Sequence, residues 1–183
     1  MFIKGLHHVA YRCVDAQETV DFYTKVLGLK YTMAVSERQV PSTKESFNYM
    51  HLFFELGSEG GYLAFFELPD EPPMGVDPHT PDWVQHLAFR VLDIEALREA
   101  EKDLRAKGID VLGPVDHGFC ESIYFHDPSG HRLEFAANKL TFKMIERLTD
   151  AAQPMLEEWS RTKQVVRHAA WVHEKEFTGD SSS

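Results

Sequence analysis

Two stretches of this 183-residue chain carry a histidine at the same place in nearly the same decapeptide. LHHVAYRCVD runs from Leu6 to Asp15, and VQHLAFRVLD runs from Val84 to Asp93, 78 residues later. Laid over each other without a gap, they share His8/His86, Ala10/Ala88, Arg12/Arg90 and Asp15/Asp93, with Val9 facing Leu87 and Tyr11 facing Phe89. An imidazole binds transition metals and exchanges protons near neutral pH, so a histidine repeated at one position is the first candidate for chemistry.

The elements that hold these histidines repeat as well. The first copy opens with an alternating strand, roughly Gly5 to Cys13, in which His8, Ala10 and Arg12 share one face. Asp15 stands where a helix N-cap belongs, Val20, Tyr23 and Leu27 follow at helical spacing, and Gly28 ends the helix. Three strand candidates come next: LKYTMAV from Leu29, FNYMHLFFEL from Phe47 and GYLAFFEL from Gly61, the last two separated by GSEGG. The second copy runs WVQHLAFRV, then a helix capped by Asp93 with Ile94, Leu97 and Leu104 on its apolar side and Gly108 as its stop. IDVLGPV, FCESIYFH and HRLEFAA follow, with the turn DPSG between the last two.

Each copy reads as βαβββ, a sheet with a helix on one face only. The other face must be buried by something, and a second copy can do that. The expected fold is therefore α+β, two paired βαβββ modules (about 1–68 and 83–138) around a curved pocket, joined by the proline-rich linker 69–82. In such a pairing His8 and His86 are expected to face a shared cavity. Beyond Asn138 the strand pattern stops. Residues 139–177 read as a helical extension broken near Pro154, with Leu156, Trp159, Val166 and Ala170 as an apolar stripe, and residues 178–183 read as a frayed tail. That stripe is expected to pack on a partner subunit, giving a homodimer, or over the pocket mouth.

Composition narrows the function classes. Hydrophobic residues are 43% and charged residues 26%, as in a globular protein. A formal net charge of −10 argues against nucleic acid or an anionic membrane as partner and leaves a small-molecule substrate. No apolar run approaches a membrane span, and MFIKGLHHVA lacks a signal-peptide core. Two cysteines, Cys13 and Cys120, with no C-x-x-C arrangement, point to a reducing cytoplasm.

HHVAYRCVDAQETVDFYTKVLGLKY resembles the opening of a vicinal-oxygen-chelate protein, the superfamily of glyoxalase, bleomycin-resistance protein and extradiol dioxygenase. YFHDPSGHRLEF resembles its closing strand pair, and the likeness spans about residues 5 to 138. The resemblance implies that His8, His86 and Glu134 are metal ligands. The residues themselves agree: the histidines lie opposite Val9, Tyr11, Leu87 and Phe89, while Glu134, between Leu133 and Phe135, points away from the apolar face. Two imidazoles and one carboxylate form a facial triad with open positions for substrate.

Other residues acquire roles by the same resemblance. FFEL against LEF makes Glu67 the mate of Glu134 and a possible fourth ligand, as in glyoxalase-like members. In ring-cleaving members a histidine ahead of the penultimate strand and a tyrosine on it assist the metal, and His117 and Tyr124 stand in those places. The acid–base histidine such enzymes carry just before the segment matching YLAF is replaced here by Gly60 and Gly61. Arg12 and Arg90 are expected either to bind an anionic substrate group or to pair with nearby acids. His126 and His131 are expected at the surface, His7 and Cys13 as structural, and Phe53, Phe54, Phe65 and Phe66 chiefly as core. The leading expectation is an extradiol-type dioxygenase acting on a catechol-like diol with iron(II), with manganese, nickel, zinc or cobalt as other metals. The alternatives are a glyoxalase-like lyase or isomerase and a metal-free binding protein of the same fold.

Overall fold

The computed structural model describes residues 2–57 and 60–173. The expected frayed tail, 178–183, and the end of the expected helical extension lie outside the described residues. The chain is α+β, with two four-stranded mixed sheets from paired βαβββ modules and a C-terminal helix. It divides into two compact units, Met1–His86 with His126–Arg132, and Leu87–Phe125 with Leu133–Ser183.

The first unit contains β1 (His8–Cys13), α1 (Ala16–Asp21), which continues as a π-helical turn over Phe22–Val26, then β2 (Lys30–Glu37), β3 (Tyr49–Glu55) and β4 (Tyr62–Glu67). Its sheet has the order β1-β4-β3-β2, with β1 and β4 parallel and the other pairs antiparallel. The Asp15 carboxylate accepts from the Glu18 amide at 2.8 Å, which starts α1 where the sequence placed its cap. Tyr23, fully buried, packs its ring on Phe65 at 4.8 Å and Phe54 at 5.3 Å, fixing the helix to one face of the sheet. The β7–β8 turn also belongs here: Asp127 accepts from the Tyr23 hydroxyl at 2.9 Å and, through its other oxygen, from the amides of Ser129 and His131.

The second unit contains β5 (Leu87–Val91), α2 (Ile94–Ala106), β6 (Leu112–Asp116), the bulk of β7 (Cys120–His126) and β8 (Arg132–Asn138), then α3 (Phe142–Thr162) and a 3-10 turn, Ala170–His173. The strand order is β5-β8-β7-β6. Leu97 and Leu104 of α2 are buried with Ile123, Phe125 and Leu133, whereas Ile94, at the helix start, is 39% exposed.

Three expectations are corrected. β5 starts only at Leu87: Trp83 and Val84 lie in a turn closed by the Val84 amide on the Pro81 carbonyl at 3.0 Å, so His86 immediately precedes the strand. Helix α3 is not broken at Pro154 but runs through it, because proline removes one ladder hydrogen bond and this position is exposed. The helix instead stops after Thr162, where Lys163 takes a left-handed φ of 53°. Val166 and Ala170 therefore do not continue the stripe of Leu156 and Trp159, although both of the latter are exposed.

Candidate functional site

In the first unit, strand register decides which residues share the His8 face. His8, Ala10 and Arg12 are registered with Tyr62, Ala64 and Phe66 of β4, and Val9, Tyr11 and Cys13 with Leu63, Phe65 and Glu67. Successive side chains alternate, so the second set lies on the face that Tyr23 and α1 cover. Glu67 is on that covered face. Its carboxylate accepts from the Ala16 amide at 3.0 Å, at the start of α1.

The same register in the second unit corrects the expected pairing of glutamates. Ala88, the duplicate of Ala10, is registered with Glu134, and Val91, the duplicate of Cys13, with Ala137. The counterpart of Glu134 is therefore Ala64, and the counterpart of Glu67 is Ala137. Matching FFEL to LEF by their shared letters placed Glu67 on the wrong face.

The His8 face is aromatic. The His8 ring lies 6.0 Å from that of Phe53 and 6.3 Å from that of His51, centroid to centroid. His8 Nδ1 is 2.8 Å from His7 Nδ1, so one ring nitrogen of His8 is already engaged and its orientation is set. His51, which the sequence reading passed over, stacks on Phe66 at 3.6 Å, and its buried Nε2 has no hydrogen-bond partner among the described residues. Burial first, and the neighbouring His8 second, hold His51 below the usual histidine range, so it is neutral. The signal available in the sequence was its alternation with Phe53 in YMHLFFEL. Arg12, on the same face, donates to the carbonyl of Pro72 at 2.7 Å and so ties down the start of the linker. His131, expected at the surface, is half-buried: it bonds the Arg12 carbonyl at 2.7 Å and packs its ring 5.1 Å from Tyr11. His126 is exposed, beside Asp82.

In the second unit Glu134, Tyr124 and His117 come together. Glu134 is 6% exposed on β8, opposite in face to Leu133 and Phe135. The Tyr124 hydroxyl lies 2.8 Å from His117 Nε2, beside the charge of Glu134 and near the fully buried Ser122. The histidine tautomer decides whether His117 Nε2–H or the Tyr124 hydroxyl is the donor of this bond. Burial, followed by the charge of Glu134, pushes the Tyr124 phenol above its ordinary value and keeps it protonated at neutral pH. Ser122 and Cys120, whose Oγ and Sγ are 3.6 Å apart, extend this row along β7.

The residues implied as metal ligands are divided between the units, His8 and His86 in the first and Glu134 in the second. Among the described residues, neither unit by itself gathers three His, Cys, Asp or Glu side chains that could hold a metal ion. The donor chemistry nonetheless fits a divalent cation: two imidazoles, one of them hydrogen-bonded to a neighbouring histidine, and a buried carboxylate.

Comparison with known proteins agrees with the fold. The chain is 29% identical over 141 residues to the "Putative ring-cleaving dioxygenase MhqA" of Bacillus subtilis, which takes in 76% of this chain but only 42% of that protein. It is 32% identical over 138 residues to the lactoylglutathione lyase of Haemophilus influenzae, with 73% of this chain and 93% of that one covered. Among solved structures, the fosfomycin resistance protein FosX of Listeria monocytogenes, complexed with Mn(II) and sulfate, superposes with a TM-score of 0.53 at 20% identity, covering 78% of this chain and 97% of its own. At that identity the likeness is one of fold. Residues 5–135 match the family model of these proteins, and the chain belongs to the Glyoxalase/Bleomycin resistance protein/Dioxygenase superfamily.

Proposed function

We propose that this chain is a metal-dependent enzyme of extradiol type, opening the ring of a catechol-like diol, with His8, His86 and Glu134 as metal ligands and iron(II) as the favoured metal. The observation that carries this reading is the position of Tyr124, between His117 at 2.8 Å and the implied ligand Glu134. Bound iron(II) would supply Lewis acidity toward the two diol oxygens and the electron transfer that reaction with dioxygen needs.

The protein's own part is to place hydrogen bonds and to hold protons. Tyr124, kept as a neutral phenol, holds its proton next to Glu134, where a hydroxyl of a bound diol would need a partner. His117 fixes the direction of that phenol. Glu67, on the covered face, is not offered as a ligand, and Ala64 at the counterpart position brings no donor. A three-ligand set leaves more coordination positions open than a four-ligand set, which suits a substrate binding through two oxygens together with dioxygen.

A second reading, a glyoxalase-like lyase or isomerase using nickel, zinc or cobalt, is favoured by the lactoylglutathione lyase relative, nearly all of which this chain covers. One pair of assays separates the two. The chain supplied with iron(II) and catechols under air should form the yellow ring-fission product. Turnover confined to the hemithioacetal of methylglyoxal and glutathione, with nickel or zinc, would replace the dioxygenase reading by the lyase reading.

A further inference from the structure

The turn between β6 and β7 carries His117, and the C-terminal segment lies directly against it. Gly118 has a φ of +80°, and a Cβ built there would lie 2.7 Å from Val172 Cγ1, with the Val172 carbonyl oxygen closer still. Only glycine allows this approach of backbone to backbone. Val172 is itself held: with Trp171 and Met144 it forms a small buried cluster, to which Leu140, Leu148 and Ala169 add their sides. The Arg147 guanidinium sits 4.0 Å over the Trp171 ring.

The other flank of the turn is fixed as well. Asp116 accepts from the Gly118 amide at 2.8 Å, both of its carboxylate oxygens accept from the Lys139 ammonium at 2.8 Å, and the Phe119 carbonyl accepts from the Lys139 amide at 2.9 Å. The His117 amide donates to the Cys120 carbonyl at 2.9 Å. His117 therefore reaches Tyr124 from a turn pinned by Lys139 on one side and by Val172 on the other.

We propose that Trp171 and Val172 are positioning residues for His117: seated by the α3 cluster, they fix the Gly118 turn and so hold the imidazole at the Tyr124 hydroxyl. The functional importance of that contact rests on the reading of His117 and Tyr124 given above, but the contact itself can be measured without any reaction. In the full chain labelled with carbon-13 in its histidine rings, the His117 signal is assigned by its loss in His117→Gln. Trp171→Ala is expected to shift and broaden that signal while the circular dichroism spectrum is retained, and Trp171→Phe to restore it. On the diol substrate, kcat should fall between about ten- and a hundredfold in Trp171→Ala with KM nearly unchanged, since misplacement by about an ångström has effects of that size. Should Trp171→Ala fail to fold, Val172→Ala makes the same measurement with a smaller deletion. A folded variant whose His117 signal coincides with that of the parent overturns the proposal. A shifted signal in a protein whose parent cleaves no diol upholds the positioning role and removes the ring-cleavage reading.

Discussion

Glu67 accepts a hydrogen bond from the Ala16 amide at 3.0 Å, on the face of the first sheet opposite His8. That contact makes the glutamate a partner of the helix start, since α1 has unsatisfied amides in its first turn and a carboxylate there satisfies one of them.

Glu67→Ala should therefore cost about 1 kcal/mol of stability, the size of a lost cap, and leave metal retention unchanged. Thermal unfolding and metal content per chain measure the two separately. Loss of metal with unchanged stability would show that Glu67 is a ligand after all.

The buried pair Tyr23–Asp127, at 2.9 Å, predicts a loss of stability in alkali. Burial, then the Asp127 carboxylate, raise the Tyr23 phenol well above its ordinary value of 10.0. The folded state then holds its proton where the unfolded state releases it, so this contribution is complete below the unfolded value and declines as pH rises from about 10 toward the folded value. Tyr23→Phe should lower stability at pH 7 by roughly 1–3 kcal/mol, as expected when a charged acceptor loses a buried partner, and should flatten the decline. Denaturation curves collected through the alkaline range test both statements.

At the end of α3, Lys163 occupies a left-handed conformation with φ 53°. Lys163→Gly removes the steric cost of that conformation and should raise stability by up to about 1 kcal/mol. An unchanged or lowered midpoint would mean that the lysine side chain contributes more at this position than its backbone strain costs.

Tyr124→Phe keeps the ring and removes the hydroxyl that meets His117 and Glu134. Ring-cleavage kcat should drop by about 10²–10⁴-fold, the range for loss of a positioned proton-handling group, while metal content stays at the parental level. A variant with parental kcat would reduce Tyr124 to a packing residue.

Much of this was legible in the chain. Asp15 and Asp93 cap their helices as the sequence indicates, because a short acidic side chain before an apolar-periodic run has one good use. The duplicated decapeptide correctly announced two βαβββ modules. Register was not legible. A glutamate flanked by apolar residues looks alike on either face of a strand, and a slip of an odd number of residues exchanges the faces. Only the pairing of Ala10 with Ala64 and Ala88 with Glu134 exposes the slip. His51 was missed for a related reason: its partners, Phe66 and His8, are brought to it by β4 and β1, far away in sequence. The course of α3 through Pro154 was hidden as well, because a proline at an exposed helix position removes one ladder hydrogen bond without ending the helix.

The measurement that tests the central claim most directly is metal-dependent diol cleavage compared across the three proposed ligands. The parent, purified anaerobically and supplied with iron(II), should retain the metal and convert a catechol to its yellow ring-fission product under air. His8→Ala, His86→Ala and Glu134→Gln should each remain folded and lose both metal retention and product formation. Ring cleavage that survives in any one of these folded variants, or a parent that retains iron and leaves every catechol intact, would contradict the account.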